Sequence, residues 1–106
     1  SLSRPVLLSI GWWQVSRAHA LLGEAQPASR AGRASLAHAR DESPFYAGYA
    51  HEALARAAVV ANDVGARDRH LEEARRCLAQ VRDEEQRSML AADLDSIRKD
   101  DEVHSG

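Results

Sequence analysis

Few side chains in this sequence have types and spacing that suit catalysis or metal binding. The pair His51-Glu52 matches the first half of the zinc-binding helix motif, but Ala55 stands where that motif needs its second histidine. His70 and Glu73 share one face of a predicted helix, yet no third ligand lies at a useful spacing. We therefore expect no metal site.

The single cysteine, Cys77, follows Arg75 and Arg76, whose charges favour the thiolate. It lies late in a predicted helix, far from the favourable N-terminal end, and beside the inward-facing Leu78, so a helix-contact thiol is favoured over a nucleophile. Glycine-rich phosphate loops, serine elbows and paired carboxylates are absent from the sequence, which predicts no enzymatic activity and no cofactor. One cysteine excludes an intrachain disulfide and agrees with a cytoplasmic location.

Length and charge limit the remaining classes. The 106 residues fit one domain, which we place at 1–99, followed by a polar, disordered tail at 100–106. A net charge of −2 gives no basic surface for nucleic acid. The apolar stretch 5–22 is interrupted by polar residues, Arg17 among them, so no membrane span is expected.

Apolar residues recur at helical spacing throughout, and the fold predicted is all-α, with five antiparallel helices joined by short loops. The predicted helices cover 4–22, 27–40, 44–61 and 66–81, with a fifth beginning at Asp83. Ser3, Ser43 and Asp83 are the expected N-terminal caps, and Gly23 is the expected stop of the first helix.

The same spacing predicts which residues face inward. In helices one and two these are Leu8, Trp12, Val15, Ala18 and Leu22, then Ala28, Ala31, Ser35, Leu36 and Ala39. In helices three to five they are Tyr46, Tyr49, Ala50, Ala53, Leu54, Ala57, Val60 and Ala61, then Leu71, Ala74, Leu78 and Val81, then Leu90, Leu94 and Ile97. Aromatic residues make up 5% of the chain, so the core must consist mainly of Ala, Leu and Val with closely spaced helices. Gly32 permits such close packing against helix one.

Residues 10–81 resemble two tetratricopeptide repeats, and the stretch 43–97 also resembles small bacterial proteins of this type that lack an assigned activity. The first unit carries Trp12, Val15, Ser16, Gly23 and Ala28 at the expected positions, and the second carries Leu54, Ala55, Asn62, Asp63, Leu71 and Ala74. The pattern departs from the family at His19 and Ala58, where tyrosine is usual. The resemblance implies two helical hairpins, with the fifth helix as a C-terminal cap.

In that family, ligand peptides lie against the first helix of each hairpin. The resemblance therefore implies a protein–protein interaction module that binds a peptide or partner protein on its concave face. The residues implied on that face are Ile10, Trp13, Arg17 and Leu21 from the first unit, and Tyr49, Glu52, Arg56 and Val60 from the second. The partner-binding set is Trp13, Arg17, Tyr49, Glu52 and Arg56. Alternatively, Trp13 packs in the core or a dimer seam and the arginines are solvated.

Two further hypotheses follow from the first helix. Adjacent Trp12 and Trp13 point about 100° apart, so they cannot share one core. The second ring needs another cover, which could be the fifth helix, a missing N-terminal element or a second subunit, and a homodimer is favoured. A different class, a small-ligand sensor or regulatory domain of a longer protein, would be favoured by a closed apolar pocket beside His19 and Tyr46.

Overall fold

The computed structural model describes the backbone of residues 1–105 and the side chains of residues 1–97. Five helices follow one another: α1 (Arg4–Leu21), α2 (Ala25–Ala39), α3 (Pro44–Val60), α4 (Val64–Gln80) and α5 (Glu84–Ser105). They confirm the all-α prediction. The ends of α1 to α4 and the beginning of α5 each lie within about two residues of the predicted positions. The expected polar tail at 100–106 lies outside the residues whose side chains are described.

The helices pack as two hairpins with a fifth helix against them. α1 pairs with α2 and α3 pairs with α4, while α2 and α3 join the hairpins side by side. α3 also contacts α1 and α5, so it lies at the centre of the stack. This arrangement is a compact bundle of helical hairpins, as the sequence pattern indicates.

The helix ends form where the sequence places them. The Ser3 and Ser43 hydroxyls accept from the amides of Val6 and Phe45, and Pro residues follow both caps. The Asp83 carboxylate accepts from the first turn of α5. Gly23 ends α1 with a φ of 77°, a left-handed conformation that glycine adopts without a Cβ clash.

Small residues let the central helix approach its neighbours closely. Five alanines of α3 are buried, namely Ala50, Ala53, Ala55, Ala57 and Ala58. A Cβ on Gly32 of α2 would lie 2.8 Å from Leu54 of α3 and 3.5 Å from Ser16 of α1, so this glycine brings α2 against both helices. A Cβ on Gly48 would lie 2.6 Å from Leu90 of α5. The close packing is confirmed, although the tightest contact of Gly32 is with α3 rather than with α1.

α5 docks through a stripe that the sequence predicts correctly. Leu90, Leu94 and Ile97 are buried and pack with Leu71 and Ala74 of α4 in one apolar cluster. Three- and four-residue spacing places these α5 side chains on one face of the helix. The polar neighbours of the stripe are thereby held at the edge of α3, beside the candidate site.

The inward face predicted for α1 is wrong. Leu8, Trp12, Val15, Ala18 and Leu22 are exposed, with 40% exposure at Trp12 and Val15 and 73% at Leu22. The buried face carries Val6, Ser9 and Ser16 instead. α1 is apolar on both faces, so periodicity alone does not select one of them.

Hydroxyl groups explain why the serine face of α1 is the buried one. The Ser9 hydroxyl donates to the Ser35 carbonyl oxygen at 2.9 Å, and the Ser35 hydroxyl donates to the Ser9 carbonyl oxygen at 2.8 Å. The Ser16 hydroxyl donates to the Ala28 carbonyl oxygen at 2.7 Å. Small hydrogen-bonded side chains let α1 and α2 meet closely, which large apolar side chains on that face would prevent. At the other helices, Ala61 is exposed rather than inward, while Leu36 and Leu78 are half-buried.

Candidate functional site

The candidate site is a groove whose walls are α1 and α5 and whose floor is α3. α1 and α3 open successive hairpins and therefore run in the same direction. α5 also runs this way, because Tyr49 bonds to Asp93 at 2.5 Å and, further along both helices, Arg56 bonds to Ser96 at 3.1 Å. The groove thus has three parallel helices, and the side chains that face it come from all three.

A buried carboxylate occupies the middle of the groove floor. Glu52 is 0% exposed, and its Oε1 accepts from the Trp13 indole Nε1 at 2.8 Å. Its Oε2 accepts from Arg56 Nε at 2.8 Å and from Arg17 Nη1 at 3.4 Å. Both oxygens are therefore satisfied by donors on α1 and α3, as a buried charge requires.

Arg56 extends this network to the third helix. Its Nη2 donates to the Asp93 carbonyl oxygen at 3.3 Å and to the Ser96 hydroxyl at 3.1 Å. One guanidinium thus joins the carboxylate of α3 to the backbone and a side chain of α5. The planar, multi-donor guanidinium suits this bridging role better than a lysine ammonium would.

Aromatic rings form a continuous cluster at one end of the network. Trp13 and Tyr49 pack edge to face with ring centroids 5.4 Å apart, and Phe45 packs against Tyr49 at 5.1 Å and against Tyr46 at 5.2 Å. The Arg17 guanidinium lies 5.4 Å from the Trp13 ring centroid, in cation–π contact. These contacts orient Trp13 and Tyr49 along the groove.

The Tyr49 hydroxyl stays protonated across the physiological range. Burial raises the pKa of Tyr49 above its usual value, and the hydrogen bond to the Asp93 carboxylate and the charges of Asp93 and Glu52 raise it further. The charge of Arg17 lowers this pKa and is the smallest of these effects. The local field at Tyr49 is therefore dominated by the two carboxylates.

Two open clefts lie along the groove, one on each side of the Glu52 network. The first, here named the aromatic cleft, has a volume of about 280 Å³. Its walls include Trp13, Phe45, Tyr46, Tyr49, Met89 and Asp93. Its lining is mainly apolar and comes from α1, α3 and α5, with Ser35 of α2 at its floor.

The second cleft, here named the arginine cleft, also has a volume of about 280 Å³. Arg17 and Arg56 line it together with aliphatic side chains, among them Leu21, Val60 and Ile97. The two clefts therefore differ in charge: the first carries a carboxylate and the second carries guanidinium groups.

The structure brings all five residues of the predicted partner-binding set together. Trp13, Arg17, Tyr49 and Arg56 are half-buried along the groove, whereas Glu52 lies beneath them. Glu52 thus holds Trp13, Arg17 and Arg56 in position, whereas Tyr49 is held by Asp93, and a ligand in the groove would meet these four side chains rather than the buried carboxylate. Of the remaining predicted groove residues, Ile10 lines the aromatic cleft, while Leu21 and Val60 line the arginine cleft.

Sequence reasoning missed the residues that α5 and the start of α3 add to the site. Asp93, Ser96 and Met89 face the groove, and Phe45 completes the aromatic cluster. The apolar stripe Leu90–Leu94–Ile97 could have located two of them from the sequence. It identifies the face of α5 that packs on the bundle, and Asp93 and Ser96 lie at the edge of that face. The hypothesis of a closed pocket beside His19 and Tyr46 is not matched, since Tyr46 lines an open cleft and His19 bonds instead to Glu24 at 2.8 Å.

A histidine pair lies outside the groove, between α3 and α4. Nδ1 of His51 and Nδ1 of His70 are 3.1 Å apart, so one ring donates to the other. Burial lowers the pKa of both histidines, and the His70 charge lowers that of His51 further. Within the described residues, no three His, Cys, Asp or Glu side chains converge in a way that would hold a metal ion.

Cys77 is half-buried in α4, and its surroundings disfavour the thiolate. Burial raises the pKa of the thiol, and the Glu73 carboxylate raises it further. The Arg76 side chain pairs with Glu72 and Glu73 rather than with the sulfur. These contacts agree with the helix-contact role predicted for this cysteine.

Comparison with known proteins gives no match to a family model, a curated protein or a solved structure. Across the part of the chain that the structure describes, no helix combines the length and apolar character needed to cross a bilayer. Fold and site are therefore interpreted from the geometry of this chain itself.

Proposed function

We propose that this protein is a tetratricopeptide-like interaction module that binds a peptide segment of a partner protein in the α1–α3–α5 groove. The observation that carries the proposal is the convergence of Trp13, Arg17, Tyr49 and Arg56 along one groove, above a buried carboxylate that bonds to all of them except Tyr49. Aromatic and arginine side chains are the types that contribute most to binding at protein interfaces.

Preorganisation of the groove supports the proposal. Trp13 is held by its hydrogen bond to Glu52 and by ring contact with Tyr49, so a ligand finds it already oriented. Side chains that are fixed before binding lose little conformational entropy on association. The two clefts, centred about eight residues of α1 apart, are separated by about 12 Å, which an extended segment of about four residues spans.

Selection from a random seven-residue peptide library, followed by titration of the synthetic winners, tests the proposal. The Trp12→Phe variant leaves Trp13 as the only tryptophan, so its fluorescence reports on the groove. We expect selected peptides to change this fluorescence saturably. Selected peptides that bind without changing the Trp13 fluorescence, or a library that yields no binding peptide, would refute the groove as the binding site.

Arg17→Ala is the sharpest substitution, because Glu52 keeps its 2.8 Å bonds to Trp13 and Arg56 when Arg17 is removed. A peptide with an acidic group at the arginine cleft should lose about tenfold in affinity, the effect of one charge-assisted hydrogen bond. Arg30→Ala is the matched control, since Arg30 is exposed on α2 away from the groove. Equal affinities of the two variants would remove Arg17 from the site.

We further propose that the outer face of α1 forms a homodimer. Leu8, Val15 and Leu22 are exposed and lie seven residues apart, with Gly11 and Ala18 between them. This is the spacing of a coiled-coil seam, and small residues in it allow close approach. Exposed apolar faces of this kind mark association surfaces.

The seam is close to symmetric about Val15, which favours a second copy of this chain as its occupant. In an antiparallel pair with its two-fold axis at Val15, Leu8 packs on Leu22 of the other copy, and the seam repeats itself at both ends. Arg4 of one copy then lies at the same end as Glu24 of the other, so the flanking charges are complementary.

Sedimentation equilibrium tests the dimer against the monomer mass of 11.6 kDa. We expect twice this mass for the native chain and the monomer mass for Val15→Glu. Val64→Glu is the control, because Val64 is similarly exposed but lies on α4. A monomeric native chain at 100 µM, on the order of a weak dimer's dissociation constant, would refute the proposal.

A further inference from the structure

The aromatic cleft gathers most of the aromatic side chains of the chain. Four of the five aromatic residues, Trp13, Phe45, Tyr46 and Tyr49, line this one volume of about 280 Å³. Neighbouring rings meet at 77–80°, so their planes are close to perpendicular. Perpendicular rings around one volume form walls on several sides, as in the aromatic cages that hold organic cations.

Four polar groups that line the cleft, those of Ser9, Ser35, Trp13 and Tyr49, donate their hydrogen bonds within the protein. Ser9 and Ser35 donate to each other's carbonyl oxygens. The Trp13 indole N–H and the Tyr49 hydroxyl each donate to a carboxylate of the chain. A phosphate or a carboxylate, which accepts hydrogen bonds, would therefore have few donors to bind here. A ligand that accepts no hydrogen bonds is not disfavoured by this shortage of donors.

The charge of the cleft is negative. Asp93 is the ionisable group of its lining apart from the tyrosine hydroxyls, and among the described residues that line it there is no Lys, Arg or His. The Arg17 guanidinium lies 5.4 Å from the Trp13 ring centroid and Arg56 bonds to the Asp93 carbonyl oxygen, but both arginines line the other cleft. Burial is the main cause of the raised pKa of Tyr49, and the charges of Asp93 and Glu52 raise this pKa further against the smaller opposite effect of Arg17. Rings, one carboxylate and spent donors together favour a bulky cation.

We infer that the aromatic cleft binds a quaternary ammonium group, presented as the side chain of a trimethyllysine in the bound peptide. This inference rests on the proposed function, since it assigns the chemistry of one residue of that peptide. A quaternary ammonium carries positive charge, has no N–H donors to satisfy, and buries its methyl groups against the rings.

Unmethylated lysine fits the cleft less well. Its ammonium has three N–H donors, and the Asp93 carboxylate already accepts from Tyr49 at 2.5 Å. An N–H that is turned toward the ring face of Phe45 or Tyr46 would lack an acceptor there, which opposes binding. The peptide source is favoured over a free small cation because the cleft is open and the arginine cleft lies further along the same groove.

Three seven-residue glycine–serine peptides test the inference, with trimethyllysine, lysine or the neutral tert-butyl isostere of trimethyllysine at the central position. Titration into the Trp12→Phe protein follows Trp13 fluorescence. We expect the trimethyllysine peptide to bind about tenfold more tightly than either of the others. Equal binding of the neutral isostere would show an apolar cleft rather than a cation site and would overturn the inference.

Asp93→Asn separates charge from shape, because the amide oxygen can still accept from Tyr49. It should weaken binding of the trimethyllysine peptide about fivefold and leave that of the neutral isostere unchanged, an effect of one charge at close range. Asp95→Asn is the matched control, exposed two residues further along α5. Unfolding curves for both variants establish that each is folded. If both variants bind trimethyllysine as the native chain does, the cation assignment is wrong.

Tetramethylammonium chloride and choline distinguish failure of this inference from failure of the proposed function. If library peptides bind the groove but neither quaternary cation nor the trimethyllysine peptide does, the inference fails and the proposed function stands. If free choline binds as tightly as the trimethyllysine peptide, the peptide source is overturned in favour of a small-molecule site. Tight binding by the peptide with weak competition by tetramethylammonium supports the inference in full.

Discussion

Glu52→Gln removes the charge at the centre of the groove and keeps the shape of the side chain. In the native protein each carboxylate oxygen accepts at 2.8 Å, one from Trp13 Nε1 and the other from Arg56 Nε. A glutamine amide has one oxygen, so it must turn its N–H₂ group toward one of these donors. One donor then loses its acceptor, and both arginines lose the carboxylate charge.

The expected cost follows from these contacts. A hydrogen bond to a charged group contributes about 1.5–3 kcal/mol, and removing one partner of a buried ion pair costs about 3–5 kcal/mol. The Arg56 and Arg17 side chains keep 16% and 32% exposure, so water compensates part of the loss. We expect the free energy of unfolding to fall by about 2–4 kcal/mol, which lowers the urea midpoint by about 1–2 M at the usual denaturant dependence.

Equilibrium urea unfolding, followed by circular dichroism, measures this change. Glu72→Gln is the control, because Glu72 makes the same type of pair with Arg76 but is 69% exposed, and it should leave the midpoint unchanged. A double-mutant cycle between Glu52→Gln and Arg56→Met should show non-additivity of at least about 1 kcal/mol. If Glu52→Gln unfolds at the midpoint of Glu72→Gln, the buried network does not stabilise the groove.

Two further perturbations test the packing and the histidine pair. Gly48→Ala should lower the free energy of unfolding by about 1–3 kcal/mol, because its Cβ would lie 2.6 Å from Leu90. Gly11→Ala should raise the free energy of unfolding by about 0.5–1 kcal/mol, because its Cβ meets open space within a helix. Equal effects of the two substitutions in urea unfolding would contradict the helix spacing. Burial lowers the pKa of His51 and that of His70. As the pH falls, the histidines of the unfolded chain are therefore protonated at a higher pH than those of the folded chain. The stability that this pair contributes above pH 6.5 should be lost as the pH falls below that value. His51→Asn should reduce this loss between pH 7 and 5, and a variant with the native pH dependence would show that the pair does not contribute to it.

The features of the fold that are local were predictable. Ser3, Ser43 and Asp83 are caps because their side chains reach amides within three residues, which the sequence alone specifies. The α5 stripe was equally clear because its apolar residues, unlike those of α1, occupy one face. Gly23 ends its helix for the same local reason, its freedom to adopt positive φ.

The face of α1 was not predictable in this way, because its choice is a tertiary property. Leu8 and Val15 repeat at helical spacing as regularly as Ser9 and Ser16 do, and hydropathy favours the first pair. The serines are nevertheless inside, because Ser35 and Ala28 offer them acceptors at the distance at which two closely packed helices meet. Hydrogen bonds between side chains of α1 and the backbone of α2 thus favour burial of the serine face and leave the more apolar face exposed.

The five residues of the predicted set lie together in the structure, but neither their arrangement nor the residues that α5 adds were predictable. Helical spacing places Glu52 and Arg56 on one face, and the resemblance implies Trp13 on the neighbouring helix. That Glu52 is buried and Arg56 reaches α5 depends on the docking of α5, which no local pattern specifies. A stripe that fixes the face of a helix does not fix the helix on which that face will dock.

The alanine-rich core and the aromatic cleft have one physical cause. Where Gly32 and Gly48 hold the helices so close that a methyl group would clash, no space remains between them for an aromatic ring. Trp13, Phe45 and Tyr49 lie outside these close contacts, in the cleft between α1, α3 and α5. The small residues that make the stack close-packed thus also concentrate the rings at the groove, and a larger core residue at Gly48 would move α5 and alter both.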